Sequence, residues 1–440
     1  MPFRTIFASV VVGTALLAGA FFIHSLRPER EVRQPTEALV RASGKCAQCH
    51  REQTAAIVHE YERSAHAEEE VNCLECHGPA QGQASREHRG FVLAVELTAK
   101  NCARCHDEQY TEYLRSRHAA PAWAAVAGAA DFEPEQVAHA ETFHPGAVDR
   151  PPNELARLEG PAATRRGCEG CHAVGQPNAD GSIGSCTDCH SRHWASLELA
   201  RAPRTCGQCH MGPDHAQLEI YEESKHGVLY EAHRLGMDVG FGADELEPQD
   251  LPVPVCSTCH MGGIGGQEAT HDTSVFLSYY LFAPISEKRP HFARNQARMK
   301  DLCNECHTSD HTDDYYEGAE AVLQTTNERV REAKAIFVSL REEKLLTPDH
   351  LDEPIEFLYF DLWHYHGRTA KHGAFMGGAD YVQWHGNYPL LKGLVELEDE
   401  AASLRSAAAA ADGDVIEEQD EETAAAAPGA PPDDGERGAP

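Results

Sequence analysis

No cysteine in this sequence is left over from a repeated five-residue pattern, positive charge is scarce, and no stretch reads convincingly as a β-strand. Each shortage excludes something. The 38 lysines and arginines stand against 70 aspartates and glutamates, for a formal net charge of -32. Neutralising phosphates takes clustered basic side chains, so nucleic acid is excluded as a partner. Such charge reads first as a solvated, self-repelling surface and only secondly as an attraction for a basic redox partner. Without strand alternation the expected fold is mainly α. Without spare thiols there is no disulfide framework.

The cysteines, 16 in all, form eight Cys-x-x-Cys-His units. They are Cys46, Cys49 and His50; Cys73, Cys76 and His77; Cys102, Cys105 and His106; Cys168, Cys171 and His172; Cys186, Cys189 and His190; Cys206, Cys209 and His210; Cys256, Cys259 and His260; and Cys303, Cys306 and His307. Two thiols forming thioethers to the porphyrin vinyls, with the next histidine ligating iron, make this the c-type haem signature. Paired Cys-x-x-Cys units could instead build tetrahedral zinc sites, but zinc does not need the fifth residue. Eight histidines at that position by accident has a probability of about 10⁻¹⁰, which excludes zinc. Eight covalent haems are expected. At roughly one per 20 to 60 residues they leave little room for a conventional protein core, so the haems take its place.

Residues 5–23 are uncharged and mostly apolar, with Arg4 before them and Arg27, Arg30 and Arg33 after. A helix of that length reaches about 28 Å, enough to span a bilayer core. Ala18-Gly19-Ala20 resembles a signal cleavage site, yet Phe21-Phe22-Ile23 continue the apolar run, so residues 1–24 read as a signal or, preferably, an uncleaved anchor. The arginines that follow run against a positive-inside count for that orientation. Either way the haem region is exported, and a periplasmic location tethered to the inner membrane is expected. Residues 25–44 read as a linker, 45–317 as an octahaem domain, and 318–411 as a helical region without haem motifs. Helices are expected over 318–346, 355–369 and 389–411, and residues 412–440, rich in Ala, Pro, Gly, Asp and Glu, as a disordered acidic tail. The C-terminal region reads as a shielding or oligomerising layer.

A second pattern repeats: "YERSAH", "YLRSRH" and "YEESKH", ending at His66, His118 and His226. Tyr-x-x-Ser-x-His three times is an internal repeat, and each copy follows a haem motif closely enough to return a histidine as a second axial ligand. These three are the first candidates for distal ligation, with His193, His271, His364, His372 and His385 behind them. For each, the ordinary alternative is a surface or hydrogen-bonding histidine.

The segment from "CEGCHAVGQ" through "CGQCHMGPDH" to "YEESKHG", together with "AKHGAFMGGADYVQWHGNY", resembles the octahaem hydroxylamine oxidoreductase family, which includes hydrazine dehydrogenases. The likeness covers about residues 45–397. It implies a substrate site at the fourth haem, on Cys168, Cys171 and His172, with no distal protein ligand. It also implies a homotrimer in which a neighbouring subunit's tyrosine bonds to that porphyrin. Tyr381 matches that tyrosine best, with Tyr388 the runner-up. Asp214 and His215 correspond to the family's distal Asp-His pair, and its distal tyrosine falls at Tyr280 or Tyr279. A carboxylate that fixes one imidazole tautomer makes a competent base near neutral pH. His215 as another haem ligand is the plain alternative.

The resemblance implies oxidation of hydroxylamine to nitric oxide or nitrite at a five-coordinate haem. Seven further haems would pass electrons to an acceptor cytochrome c or a membrane quinone-linked cytochrome. Hydrazine dehydrogenation is the nearest variant, an octahaem reductase of nitrite or a sulfur oxyanion is a second class, and a non-catalytic electron conduit is a third.

Overall fold

The computed structural model describes residues 37–425 except 214, 238, 243 and 244, with side chains described over 44–411. The anchor segment, most of the linker and Asp214 lie outside the described residues. Among the described residues no helix is long and apolar enough to cross a membrane.

The architecture is mainly α, in short helices until residue 309 and in long ones after it. The haem motifs explain the short ones. In each of five motifs the histidine N–H donates to the first cysteine's carbonyl, as from His172 to Cys168 at 3.0 Å and from His307 to Cys303 at 2.9 Å. One helical turn puts residues i, i+3 and i+4 on one face, so both thiols and the imidazole point the same way.

Two compact units divide the chain, one comprising residues up to 75 together with 193–195 and the other the remainder, with the boundary inside the second haem motif. In the first, the helices Glu37–Gln53, Ala55–Tyr61 and Ala65–Glu68 follow one another, with a kink at Gly44 (φ 56°) where the linker was expected to end. Arg63 lies over the Trp194 ring at 5.0 Å.

The Tyr-x-x-Ser-x-His repeat is a helix break. In the first copy Ser64 caps the helix carrying His66, accepting from Ala67 N at 3.2 Å, while Tyr61 donates to Val71 O at 2.8 Å. In the third, Ser224 accepts from Gly227 N at 3.1 Å and Tyr221 donates to Pro254 O at 2.9 Å. In the second, Ser116 accepts from His118 N at 3.1 Å and Tyr113 donates to His118 O at 3.0 Å. In the first and third copies the serine starts the next helix and the histidine sits at its start; in the second, Ser116 ends the helix Asp107–Arg115 and the next begins only at Ala120, while in all three the tyrosine pins the corner.

The second unit holds three apolar clusters. Leu114, Trp123, Phe132, Val148 and Ile183 pack in the first, and Met237, Val255, Phe276 and Leu302 in another. The third binds the C-terminal layer, where Val330, Leu340, Ile355, Leu362, Leu390 and Leu397 meet. Fully burying one such leucine is worth about 1.5–3 kcal/mol.

The long helix Ser309–Glu342 starts earlier than its apolar period implied, because Thr308 caps it by accepting from His311 N, so it runs on directly from the eighth haem motif. The expected second helix divides into Pro354–Asp361, a π-helical turn Leu362–Gly367, and Arg368–Met376. Ala379–Val382 and a second π turn, Gln383–Asn387, lead into Tyr388–Ala425. That last helix continues beyond residue 411 into the stretch expected to be disordered, where alanine and glutamate favour it. One hairpin departs from the expectation of no strands: Ser85–His88 pairs antiparallel with Phe91–Ala94. Arg89 (φ 51°) and Gly90 (φ 84°) make its two-residue turn, the positive angles a tight hairpin requires.

Candidate haem and substrate site

Two imidazoles on one iron, each with an iron–nitrogen bond of about 2 Å, have ring centres about 6 Å apart. Three motif histidines have a second histidine at that spacing. His271 lies 6.3 Å from His190, His118 5.9 Å from His210, and His226 6.1 Å from His307. Supporting contacts leave Nε2 as the ligating atom: His271 Nδ1 is 3.7 Å from Glu112, and His172 Nδ1 is 2.6 Å from the Ala122 carbonyl. Burial pushes His210 down to about 3 and His260 to about 4, with His118 adding to both. Such imidazoles stay neutral, the form that binds metal. The donor set therefore fits haem iron.

The thiols show which motifs are neighbours. Cys102 hydrogen-bonds Cys186, Cys206 hydrogen-bonds Cys256, and Cys209 hydrogen-bonds Cys171. Cys189 lies within electrostatic reach of Cys206, and Cys259 of Cys303. Motifs three to eight thus form one connected chain.

The fourth motif meets the sixth just before the "CHMGPDH" run, since Cys171 Sγ lies 3.7 Å from the carbonyl of Gln208, the residue preceding that run. Beyond it, His215 stands 6.5 Å from His210 and 5.3 Å from the Phe282 ring. Phe282 in turn packs on His372 at 4.8 Å. His372 is buried and pushed well down by desolvation and by the charges of Arg368 and Lys371. Its Nδ1 is 3.4 Å from Gln217 Nε2. Arg368 donates to the Phe282 carbonyl at 3.1 Å, and fully buried Lys371 to Ser286 Oγ at 2.8 Å and Pro284 O at 3.2 Å. Burial brings Lys371 down to about 7.

The other candidates lie as follows. His66 and His193 belong to the first unit, where His193 has φ 64° and its Nδ1 is 3.8 Å from Glu60. His364 stacks on Phe360 at 4.2 Å. His385 is not brought to a motif histidine among the described residues; it pairs with Asp380 at 3.1 Å and stacks on Tyr381 at 4.6 Å. Tyr279 is buried against Phe292 and Phe375, whereas Tyr280 is exposed beneath Arg289. Tyr381 is half-buried beside Glu219, Glu222 and Glu223, and Tyr388 is exposed against Trp384. Trp384, Tyr388, Leu391 and Val395 are all exposed at four- and three-residue intervals, one apolar seam. Sequence reasoning passed over Glu112, Gln217, Arg368 and Lys371, although the last two stand just ahead of His372 in "RTAKHG".

A mainly helical chain with every thiol in a Cys-x-x-Cys-His turn and buried histidines paired at the width of an iron is a multihaem c-type cytochrome. It belongs to the multihaem cytochrome family described as "Seven times multi-haem cytochrome CxxCH", which matches residues 69–354. Seven of the motifs lie in that span, and Cys46, Cys49 and His50 precede it. A relative from Kuenenia stuttgartiensis, "Probable nitrite reductase-hydroxylamine oxidoreductase fusion protein", is 26% identical over 74% of this chain and 41% of its own length. The chain thus spans about two fifths of the curated relative it matches. A solved "Hypothetical multiheme protein" superposes with TM-score 0.71 at 20% identity, covering 86% of this chain and all of that one. The "reducing HAO-like protein complex" of Kuenenia stuttgartiensis gives 0.64 at 21% identity, covering 86% and 90%.

Proposed function

We propose that this cytochrome is an oxidoreductase acting on hydroxylamine at the haem carried by Cys168 and Cys171. The contact of Cys171 with Gln208 supports the reading most directly, because it sets the fourth attachment site against the segment that continues to Asp214 and His215. A bound haem there supplies an iron for the substrate nitrogen and a one-electron carrier. His215, with Asp214 beside it in sequence, is the group that would take the substrate's protons. Loss of three electrons and three protons gives nitric oxide. Four electrons and five protons, with one water consumed, give nitrite. Haems on this chain of neighbouring motifs would be the route by which electrons leave towards an acceptor cytochrome c or a quinone-linked cytochrome.

The same reading includes eight haems in total, a periplasmic site at the membrane, and a homotrimer in which Tyr381 of one copy is joined to the fourth haem of the next. The exposed seam through Trp384 and Tyr388 offers a surface for that assembly. A second reading, reduction of nitrite at the same haem, draws on the relatives whose names carry nitrite reductase and reducing activity. Hydrazine remains the variant substrate.

Asp214→Asn tests the reading. The variant should keep its haem content and low-spin spectrum while hydroxylamine turnover falls by roughly 10²-fold or more. Because His118 and His215 both stand near His210, His215→Ala supplies the control. If it turns a low-spin haem high-spin, His215 is a ligand and its role with protons is refuted.

A further inference from the structure

We propose that Glu112 is a positioning residue for electron transfer: its carboxylate, set against the distal ligand His271, holds the fifth haem low in reduction potential and makes that haem the unfavourable branch for electrons reaching the sixth. Only the direction of flow rests on the reading above, in which electrons enter at the fourth haem. The observations begin at His271. Its ring centre lies 6.3 Å from that of His190, the spacing of two imidazoles on one iron, and its Nδ1 is 3.7 Å from Glu112 Oε2. The same oxygen accepts from the His271 backbone N–H at 2.9 Å, so the carboxylate is held by the backbone as well as facing the ring. Glu112 is delivered by the helix Asp107–Arg115, which starts directly after the third motif's His106. The thiol contact between Cys102 and Cys186 brings the third and fifth attachment sites together. A helix of the third motif thus supplies the charge behind a ligand of the fifth haem.

The ligands nearest in the chain of motifs have different partners. His118, which faces the sixth motif's His210 at 5.9 Å, has the Ser116 hydroxyl 3.5 Å from its Nδ1. The fourth motif's His172 has the Ala122 carbonyl at 2.6 Å. Both are neutral groups, whereas His271 faces an anion. The Glu112 side chain is only 19% exposed, so salt and water screen its charge less than that of a surface carboxylate. A carboxylate beyond Nδ1 raises the basicity of the ligating imidazole. Ferric haem carries one more positive charge than ferrous haem, so the same carboxylate stabilises the oxidised form and lowers the potential.

The place of the fifth haem gives that charge its consequence. Contacts between thiols join the sixth motif to three others: to the fourth through Cys209 and Cys171, to the fifth through Cys206 and Cys189, and to the seventh through Cys206 and Cys256. The sixth haem is therefore a junction. An electron arriving from the fourth haem reduces the sixth iron from ferric to ferrous. From there it can pass to the fifth haem and on to the third, or to the seventh and on to the eighth, which Cys259 and Cys303 bring together. Each step moves one electron, lost by one iron and gained by the next, and no bond changes. With an anion behind the fifth haem's ligand and a neutral hydroxyl behind the sixth's, the step from sixth to fifth runs uphill, and the seventh haem is left as the outlet.

The test uses the haem-loaded full chain in a spectroelectrochemical titration, with electron paramagnetic resonance to count low-spin haems. Glu112→Gln should raise the midpoint of one haem so that, at a fixed potential, its reduced-to-oxidised ratio increases about tenfold, which is 59 mV for one electron. Covalent haem and the low-spin count should not change. Glu112→Asp keeps the charge and should recover part of the shift. Added to His271→Ala, Glu112→Gln should lose most of its effect, because the carboxylate acts through that ligand. Midpoints that do not move, or a shift undiminished without His271, overturn the proposal. So does conversion of a low-spin haem to high spin in Glu112→Gln, since the residue would then be holding the ligand in place and not tuning it. Should Glu112→Gln load its haems incompletely, Glu112→Ala carries the same test with the same outcomes. The haem whose midpoint moves should also be among the last reduced when hydroxylamine is added below stoichiometry; reduction with the first electrons refutes the steering. A wild type that hydroxylamine never reduces refutes the proposed function and leaves the Glu112 shift, measured electrochemically, standing.

Discussion

Replacing Gly373 with alanine tests whether the His372 helix and the proposed cross-link tyrosine are held together by backbone contact. Gly373 follows His372 in the helix Arg368–Met376. A Cβ there would stand 2.8 Å from Val382 N, 2.9 Å from Gly378 O and 3.1 Å from the Tyr381 carbonyl carbon. Gly386 answers from the other side, where a Cβ would lie 2.6 Å from Tyr381 O and 2.7 Å from the Ala370 Cα. Alanine is the better helix former by about 1 kcal/mol, so on propensity alone the change would stabilise. Overpacking costs about 1–3 kcal/mol, towards the upper end here because the neighbours are backbone atoms that cannot rotate away. The net effect is a loss of about 1–2 kcal/mol, read as a lower denaturant midpoint at unchanged m-value in the haem-loaded protein. A variant as stable as the wild type, or more so, would refute the close approach and with it the placement of Tyr381 against the His372 helix.

Intact mass of the exported protein should exceed the polypeptide by eight haem masses, and bound zinc without haem would sink the reading of the motifs. His226→Ala should convert one low-spin haem to high spin with no loss of covalent haem, since His226 faces His307 at 6.1 Å; an unchanged spectrum removes His226 from the ligand set. Tyr381→Phe should abolish cross-linked oligomers on denaturing electrophoresis. If the bands persist there but vanish in Tyr388→Phe, the cross-link lies at Tyr388.

The haem turns were legible in the sequence because a c-type motif is covalent chemistry written in consecutive residues. The Tyr-x-x-Ser-x-His repeat was legible as a pattern but not in its cause, which in the first and third copies is a serine that caps a new helix while a tyrosine pins the corner. His385 shows the limit. From sequence it is one more histidine near a haem chain, whereas the π turn brings it back onto Asp380, five residues earlier, and occupies its ring. The hairpin at Ser85 was hidden because its first strand is wholly exposed and therefore carries no alternation of apolar and polar residues.

The contacts between thiols of different motifs bear on how such a protein is made. Cys102 against Cys186 and Cys206 against Cys256 are pairs drawn from separate attachment sites. A chain that reached this fold with its thiols still free, in an oxidising compartment, would hold the wrong sulfurs together and invite disulfides between motifs. Each such bond would remove one attachment point from two haems at once. An order of assembly in which thioethers form on the extended polypeptide, before the tertiary structure closes, avoids that outcome.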